Sequence, residues 1–176
     1  MGVRETIAPE TIFYYIYAIL YSNSYRQKYA EFLKTDFPRV PFTSNKKVFA
    51  ALAKKGEELV NLHLLKSNAL DKPVASFEGD DSNKVEKLSY EIKTGRLWIN
   101  PKQYFKNIKP EIWNYHIGGY RVAEKWLKDR KNRRLTSDEV SQYCRIVTAL
   151  ANTIKIQESL DTLFEQAEAE LQILEQ

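Results

Sequence analysis

Apolar positions recur along the chain with two different periods, and the change of period divides it. From Thr6 to Ser22, the residues Ile12, Phe13, Ile16, Tyr17 and Leu20 return every three or four positions, the spacing of one helical face. Pro9 and Glu10 suit the first turn of that helix. Asn23 breaks the pattern, and Ser24 is placed to cap a second helix, Tyr25 to Lys34, with Tyr25, Tyr29, Phe32 and Leu33 on its apolar face. Pro38 and Pro41 hold Asp36 to Phe42 extended. Ser44 then caps a third helix, about Asn45 to Lys66, with Val48, Phe49, Leu52, Gly56, Leu59, Val60 and His63 as its buried stripe. Glycine inside a helix costs about 1 kcal/mol against alanine. Gly56 therefore predicts a close approach by another element. His63 on an apolar stripe reads as a hydrogen-bonded core histidine.

Beyond Lys66 the helical period stops. Ser67 to Asn83 is polar, with Pro73 and Gly79-Asp80-Asp81, and reads as a long loop. Lys84 to Lys93 reads as a strand, Lys93-Thr94-Gly95 as a hairpin turn and Arg96 to Asn100 as the partner strand. Gln103 to Ile108 and Trp113 to Ile117 supply two further short strands. Gly118-Gly119 turns the chain into a short helix whose apolar face is Val122, Ala123, Trp126 and Leu127. Thr136 and Glu139 form a capping box. The helix behind it carries Val140, Tyr143, Val147, Leu150 and Ile154, then, with a phase shift, Leu160, Leu163, Phe164, Ala167, Leu171 and Leu174. Unbroken to Glu175 it would measure roughly 60 Å. That exceeds what one small domain needs, so its last part is expected to turn back or to pack on another chain or domain. The fold class is α+β in a single domain, residues 1–176. It has a helical N-terminal half (1–66), a small antiparallel sheet with a basic helix (84–134), and a long C-terminal helix (136–176).

Composition narrows the class. The chain has 176 residues, 43% hydrophobic and 28% charged, with a mean hydropathy of −0.51. One ordinary cytoplasmic domain fits these values. No apolar run approaches the ~20 residues that span a membrane, and no signal-peptide pattern opens the sequence. Cys144 is the single cysteine, so an intramolecular disulfide and a cysteine zinc cluster are both excluded. It reads as a small core residue. Two histidines are few for a catalytic metal site.

The net charge is +4, but it is unevenly spread. Residues 155–176 carry one Lys against six Asp/Glu, a sum of −5, which leaves +9 for the rest. Residues 121–134 carry seven Lys/Arg against Glu124 and Asp129, a sum of +5. A basic body with an acidic tail suits contact with nucleic acid, although charge clusters are also ordinary solvated surface. Six tyrosines between positions 14 and 29 fit a core of rings with wet hydroxyls, or, with Arg26 and Lys28, a nucleic-acid surface. Catalytic signatures are absent: no phosphate-binding glycine loop, no GxSxG, no HExxH, no CxxC. Glu91-Ile92-Lys93, after Asp80 and Asp81, imitates the acid-x-Lys strand of Mg²⁺-dependent nucleases. The favoured reading is a hairpin strand ending in ordinary surface charges, because Lys93 leads directly into the turn.

The string YHIGGYRVAEKWLKDR (115–130), with WINPKQYF (98–105) upstream, resembles the C-terminal target-recognition domain of type ISP restriction–modification enzymes. Related recognition domains occur in single-chain type IIG restriction–methyltransferases. The segment from Pro9 to Phe42 is similar to the part that follows the methyltransferase core in those proteins. The resemblance extends to about residue 157. Ala8 departs from it, standing where family members tend to carry a capping Thr or Ser.

The resemblance implies a reader of double-stranded DNA sequence. Its expected partners are duplex DNA and the methyltransferase domain of the same parent protein, with helix-mediated self-association as a further contact. Nuclease, ATP-driven translocase and adenine-N6 methyltransferase domains precede such a reader. Neither an NPPY-type tetrad nor a Walker motif occurs in this chain. The chain is thus expected not to be an enzyme alone and to need no cofactor. S-adenosylmethionine, ATP and Mg²⁺ belong to the other domains. Phosphate contacts are expected from Arg121, Lys125, Lys128, Arg130, Lys131, Arg133 and Arg134, with Lys46 and Lys47. Base readers are expected among Arg39, Arg96, Lys102, Gln103, Lys106 and Asn107. Each of these could instead be a solvated surface residue. Trp98, Trp113, Tyr115, Tyr120 and Trp126 are assigned to the core. Three rival functions stand beside this one. They are a scaffolding module docking through the acidic tail helix, an RNA binder with Trp98 and Tyr104 exposed, and a small nuclease built on Glu91 and Lys93.

Overall fold

The described residues fall into two compact units, one of residues up to 64 together with those from 153 on, and one of residues 65–152. The computed structural model describes residues 7–174, with side chains to residue 169. The expected helix start at Thr6 and the side chains of Leu171 and Leu174 lie outside the described residues.

The first unit holds α1 (Pro9–Tyr21), α2 (Asn23–Lys28), a 3-10 turn (Phe32–Lys34), α3 (Lys46–His63) and the later part of α6 (Ser137–Leu174). Ala8 offers no side-chain cap to α1, and Pro9 takes the first turn. Two caps differ from expectation. Ser22, not Ser24, caps α2, its Oγ accepting from the Tyr25 amide at 3.2 Å. Asn45, not Ser44, caps α3, its Oδ1 accepting from the amides of Lys47 and Val48. In each polar cluster the residue with extended backbone one place before the helix takes the role.

The buried face of α1 is Tyr15, Ala18 and Ile19, while Ile12 and Phe13 are exposed, so the stripe read from periodicity is rotated. The cause is α3. A Cβ on Gly56 would stand 1.8 Å from the Tyr14 carbonyl oxygen, so the two helices meet backbone to backbone there. Tyrosine rings fill the core around Leu52, Leu59, Leu160 and Phe164. Their hydroxyls do further work: Tyr15 donates to Pro41 O at 2.7 Å and Tyr25 to Arg39 O at 2.9 Å, pinning the extended proline segment. His63 is a core histidine, in contact with the Tyr17 hydroxyl at 2.8 Å and with Thr153 Oγ1 at 3.0 Å.

The second unit is built on a sheet of β1 (Ser76–Glu78), β2 (Ser89–Glu91), β3 (Arg96–Trp98) and β4 (Tyr104–Lys106). All pairs are antiparallel, in the order β1-β4-β3-β2. The expected loop 67–83 therefore contains an edge strand. The expected strand Trp113–Ile117 does not form. Pro110 at the first position starts a helical turn, α4 (Pro110–Trp113), and buries Ile112 and Trp113. Only His116–Ile117 is extended (β5). It pairs with β6 (Tyr120–Arg121) in a separate hairpin, with Gly118 at φ +59° in the turn. α5 (Val122–Lys128) follows and buries Ala123 and Leu127. Phe105 on the inner sheet face lies 4.4 Å from the Tyr143 ring of α6, and Tyr143 donates to Ala123 O at 3.1 Å.

The capping box at the start of α6 forms as expected. The Thr136 amide donates to Glu139 Oε2 and the Glu139 amide to Thr136 Oγ1, both at 3.1 Å. α6 runs 38 residues without interruption, and its residues serve both cores. Cys144 is buried within it, and burial pushes its thiol up to about 11, which leaves it inert.

Candidate nucleic-acid interface

The basic stretch 121–134 lies on a braced turn. The Asn132 amide donates to Val85 O at 2.7 Å, the Val85 amide to Arg133 O at 2.9 Å, and the Leu135 amide to Asn83 O at 2.9 Å. Asn132 reverses the backbone at φ +64°. Four of the seven cations have acid partners. Lys125 pairs with Asp129 at 2.6 Å, Lys128 with Glu124 at 2.9 Å, and Arg130 and Arg133 share Glu139 at 3.1 Å each. Arg121, Lys131 and Arg134 have no carboxylate within ion-pair range among the described residues. Exposed pairs of this kind are worth about 0–1 kcal/mol. A phosphate can therefore compete with Asp129 and Glu124 for the two lysines. Arg130 differs, because its side chain is only 21% exposed. It also donates to Trp126 O at 3.1 Å and stands 3.5 Å from the Trp126 ring centre. Its first role is to hold the turn.

The hairpin ahead of α5 projects. His116, Ile117, Gly118, Gly119 and Tyr120 are all exposed, and no atom lies within 4 Å of a Cβ built on either glycine. Tyr120, expected in the core, is 63% exposed. The alternation that suggested burial belongs to a two-residue strand with nothing packed over it. Trp113 is buried as expected, whereas Trp98, Tyr115 and Trp126 are half-buried.

The sheet register sorts the expected base readers. Trp98 opposes Tyr104, and the same register carries Arg96 opposite Lys106 on the outer face. The Arg96 guanidinium lies 4.8 Å from the Tyr104 ring centre. Lys106 pairs with Glu78 at 2.7 Å, and that contact holds its ammonium above the usual range. Lys102 is exposed, with Asp81 at 3.9 Å. Asn107 sits at φ +62° and donates to Val74 O. Gln103 is the correction, at only 1% exposure. Its Nε2 donates to Asn83 Oδ1 and Gly79 O, and its Oε1 accepts from the Asn83 amide and Asn100 Nδ2. Both donors and both lone pairs of the amide are used inside the loop, so it cannot meet a base in this conformation. Asn83 and Asn100 complete that knot; an asparagine directly before Pro101 was the available signal.

In the first unit, Arg39 is 83% exposed, with Asp36 at 3.9 Å. Lys46 and Lys47 are exposed in the first turn of α3, where the macrodipole does not favour cations.

The nuclease arrangement does not form. Glu91 is on edge strand β2, and Asp80 and Asp81 follow β1 at the opposite edge. Three strand spacings of about 4.8 Å separate those edges. Glu91 accepts from Thr94 Oγ1, and no group of three metal-binding side chains occurs among the described residues. Trp98 and Tyr104 face each other at 4.5 Å, and neither is exposed as RNA stacking requires. No helix among the described residues is long and apolar enough to cross a membrane.

The family model of the Type ISP C-terminal specificity domain matches residues 2–159. The chain belongs to that family. The specificity domain is also similar to three solved structures. One is a nuclease-deletion mutant of the Type ISP restriction–modification enzyme LlaGI in complex with a DNA substrate mimic, at 22% identity and TM-score 0.67 over 87% of this chain and 14% of that one. The ATP-dependent Type ISP enzyme LlaBIII bound to DNA gives 20% identity and TM-score 0.68 over 89% and 11%. The DrdV–DNA complex gives 24% and 0.70 over 87% and 18%. The specificity domain thus spans less than a fifth of each of these chains. No curated protein matches it.

Proposed function

We propose that this specificity domain recognises a double-stranded DNA sequence and thereby directs an adenine-N6 methyltransferase and a nuclease of the same cytoplasmic restriction–modification protein. The observation that carries this reading is the braced basic turn, where Lys131 and Arg134 are exposed and, among the described residues, without acid partners beside five further cations. The DNA-bound states of the similar structures support it. Phosphates are held by Arg121, Lys125, Lys128, Lys131, Arg133 and Arg134, with Arg130 as brace and Lys46 and Lys47 as outliers. Arg96, Lys102, Lys106 and Asn107, with Arg39, are the base-reading set. The domain is not catalytic alone. S-adenosylmethionine, ATP and Mg²⁺ serve the other domains of the parent.

The test is a salt titration of binding to duplexes of several sequences. Lys131→Ala with Arg134→Ala weakens all of them alike and lowers the salt slope by about two. An unchanged slope removes the basic turn from the interface.

A further inference from the structure

Behind the β5–β6 hairpin lies a cleft of about 280 Å³ lined by His116, Arg121, Lys125, Lys128 and Glu124. Three permanent cations and an imidazole face a single carboxylate. His116 Nδ1 is 2.6 Å from Asn114 O, and a carbonyl only accepts, so Nδ1 carries a proton and that bond fixes the ring beside the three cations that meet the phosphate. The lysines rest on acids, Lys125 on exposed Asp129 and Lys128 on half-buried Glu124, and a doubly hydrogen-bonded phosphate can compete with these exposed ammonium groups' partners. The ribbon also presents Ile117, 45% exposed, and Tyr120, which is 63% exposed and forms part of the cleft lining. Lys125 Nζ stands 5.8 Å from the Tyr120 ring centre, and neither Ile117 nor Tyr120 is buried in the fold.

We propose that this hairpin is a groove-entering element of the specificity domain: one backbone phosphate of the duplex sits in the cleft, and Ile117 and Tyr120 lie in the adjoining major groove. The inference rests on the duplex-recognition reading above. Groove dimensions choose the groove. Two strands about 4.8 Å apart, with side chains, fit the major groove of about 12 Å and not the minor groove of about 6 Å. Apolar side chains there meet thymine methyl groups, and the Tyr120 hydroxyl can meet a base edge. A free phosphate ion offers the same chemistry to the cleft, so the test separates the two sources.

Binding of a short fluorescein-labelled duplex is measured against salt for the chain and three double variants. Lys125→Gln with Lys128→Gln lowers the salt slope by about one, the value for one lost phosphate. Ile117→Ser with Tyr120→Ser weakens binding about tenfold with the slope unchanged, as expected for a contact made in the groove. Lys66→Gln with Lys72→Gln removes the same charge from outside the hairpin and alters neither. Inorganic phosphate at constant ionic strength does not displace the duplex, and netropsin in the minor groove leaves binding intact. Thermal melts confirm that each variant is folded. Overturning results are full affinity in the hairpin-tip variant, an equal slope change in the control pair, displacement by free phosphate, or displacement by netropsin. In any of these cases the parent chain still binds duplex. Failure of the parent chain to bind any duplex defeats the broader reading instead.

Discussion

The guanidinium carbon of Arg130 stands 3.5 Å from the centre of the Trp126 ring, while its Nε donates to Glu139 at 3.1 Å. One side chain therefore ties the end of α5 to the start of α6 across the basic turn. Lysine cannot copy this, because it lacks both the planar fork and the stacking face. Arg130→Lys is expected to destabilise the chain by about 1 kcal/mol, the scale of a half-buried cation–π contact. Urea unfolding measures it. A variant as stable as the parent means that the contact does not brace the turn.

Glu139 sets a second, opposing pair of effects. The Thr136 amide first, then Arg130 and Arg133, hold its carboxyl below the usual range. A depressed folded value gives stability that is complete above the unfolded value and is lost as pH falls through the folded one. Glu139→Gln is therefore less stable near neutral pH and flatter under acid denaturation. It also removes the acid that occupies Arg133, so duplex affinity rises as stability falls. Melting curves from neutral to acid pH and a binding isotherm at one salt concentration test both. A joint fall of stability and affinity defeats the argument.

His63 is predicted to give a separate acid-sensitive contribution in the first unit. Burial pushes its imidazole below the ordinary value of 6.5, so it is neutral when folded. The unfolded chain takes up the proton first, and stability falls as pH drops below about 6.5. His63→Gln removes that slope. Proton NMR of the imidazole through the same pH range provides the check, and a titration at or above the ordinary value contradicts the prediction.

What could be read from the sequence was what is local. Pro9, the Thr136–Glu139 box and the Lys93–Gly95 turn depend on a few neighbouring residues, and each forms as read. What was misread depends on partners elsewhere in the chain. β1 lies hidden in a polar segment because its pairing residues, Tyr104 to Lys106, come much later. The alternation of Trp113, Tyr115 and Ile117 looks like a strand, but Pro110 starts a helical turn under the first of them. The cationic cluster was legible as composition. That Glu139 occupies two of its arginines, and that His116 and Tyr120 stand clear on a hairpin, required the fold.

Gly56→Ala tests the helix contact in the first unit. A Cβ there meets the Tyr14 carbonyl oxygen at 1.8 Å and its carbon at 2.6 Å, backbone atoms that cannot rotate away. Alanine gains about 1 kcal/mol of helix propensity, against an overpacking cost of about 3 kcal/mol or more. The expected outcome is a net loss of about 2 kcal/mol by chemical denaturation. A stabilised variant means that α1 and α3 do not approach as closely as described.

Gln103 separates a structural amide from a base-reading one. If it read a base, Gln103→Ala would change sequence preference and leave the melting point alone. Its position predicts the reverse. Removal leaves the Asn83 amide and Asn100 Nδ2 without this acceptor in a buried loop, a cost of about 1–3 kcal/mol. Gln103→Glu is more informative. It keeps the shape but replaces the Nε2 donor with an oxygen facing Asn83 Oδ1 at 2.7 Å and Gly79 O at 3.4 Å. Carboxylate facing carbonyl in a buried site cannot be satisfied without uptake of a proton. The variant is therefore expected to be less stable than the parent at neutral pH and to regain stability as the pH is lowered, opposite in sign to Glu139. Duplex sequence preference, measured under folded conditions, stays as in the parent. A changed preference at unchanged stability would return Gln103 to the reading surface.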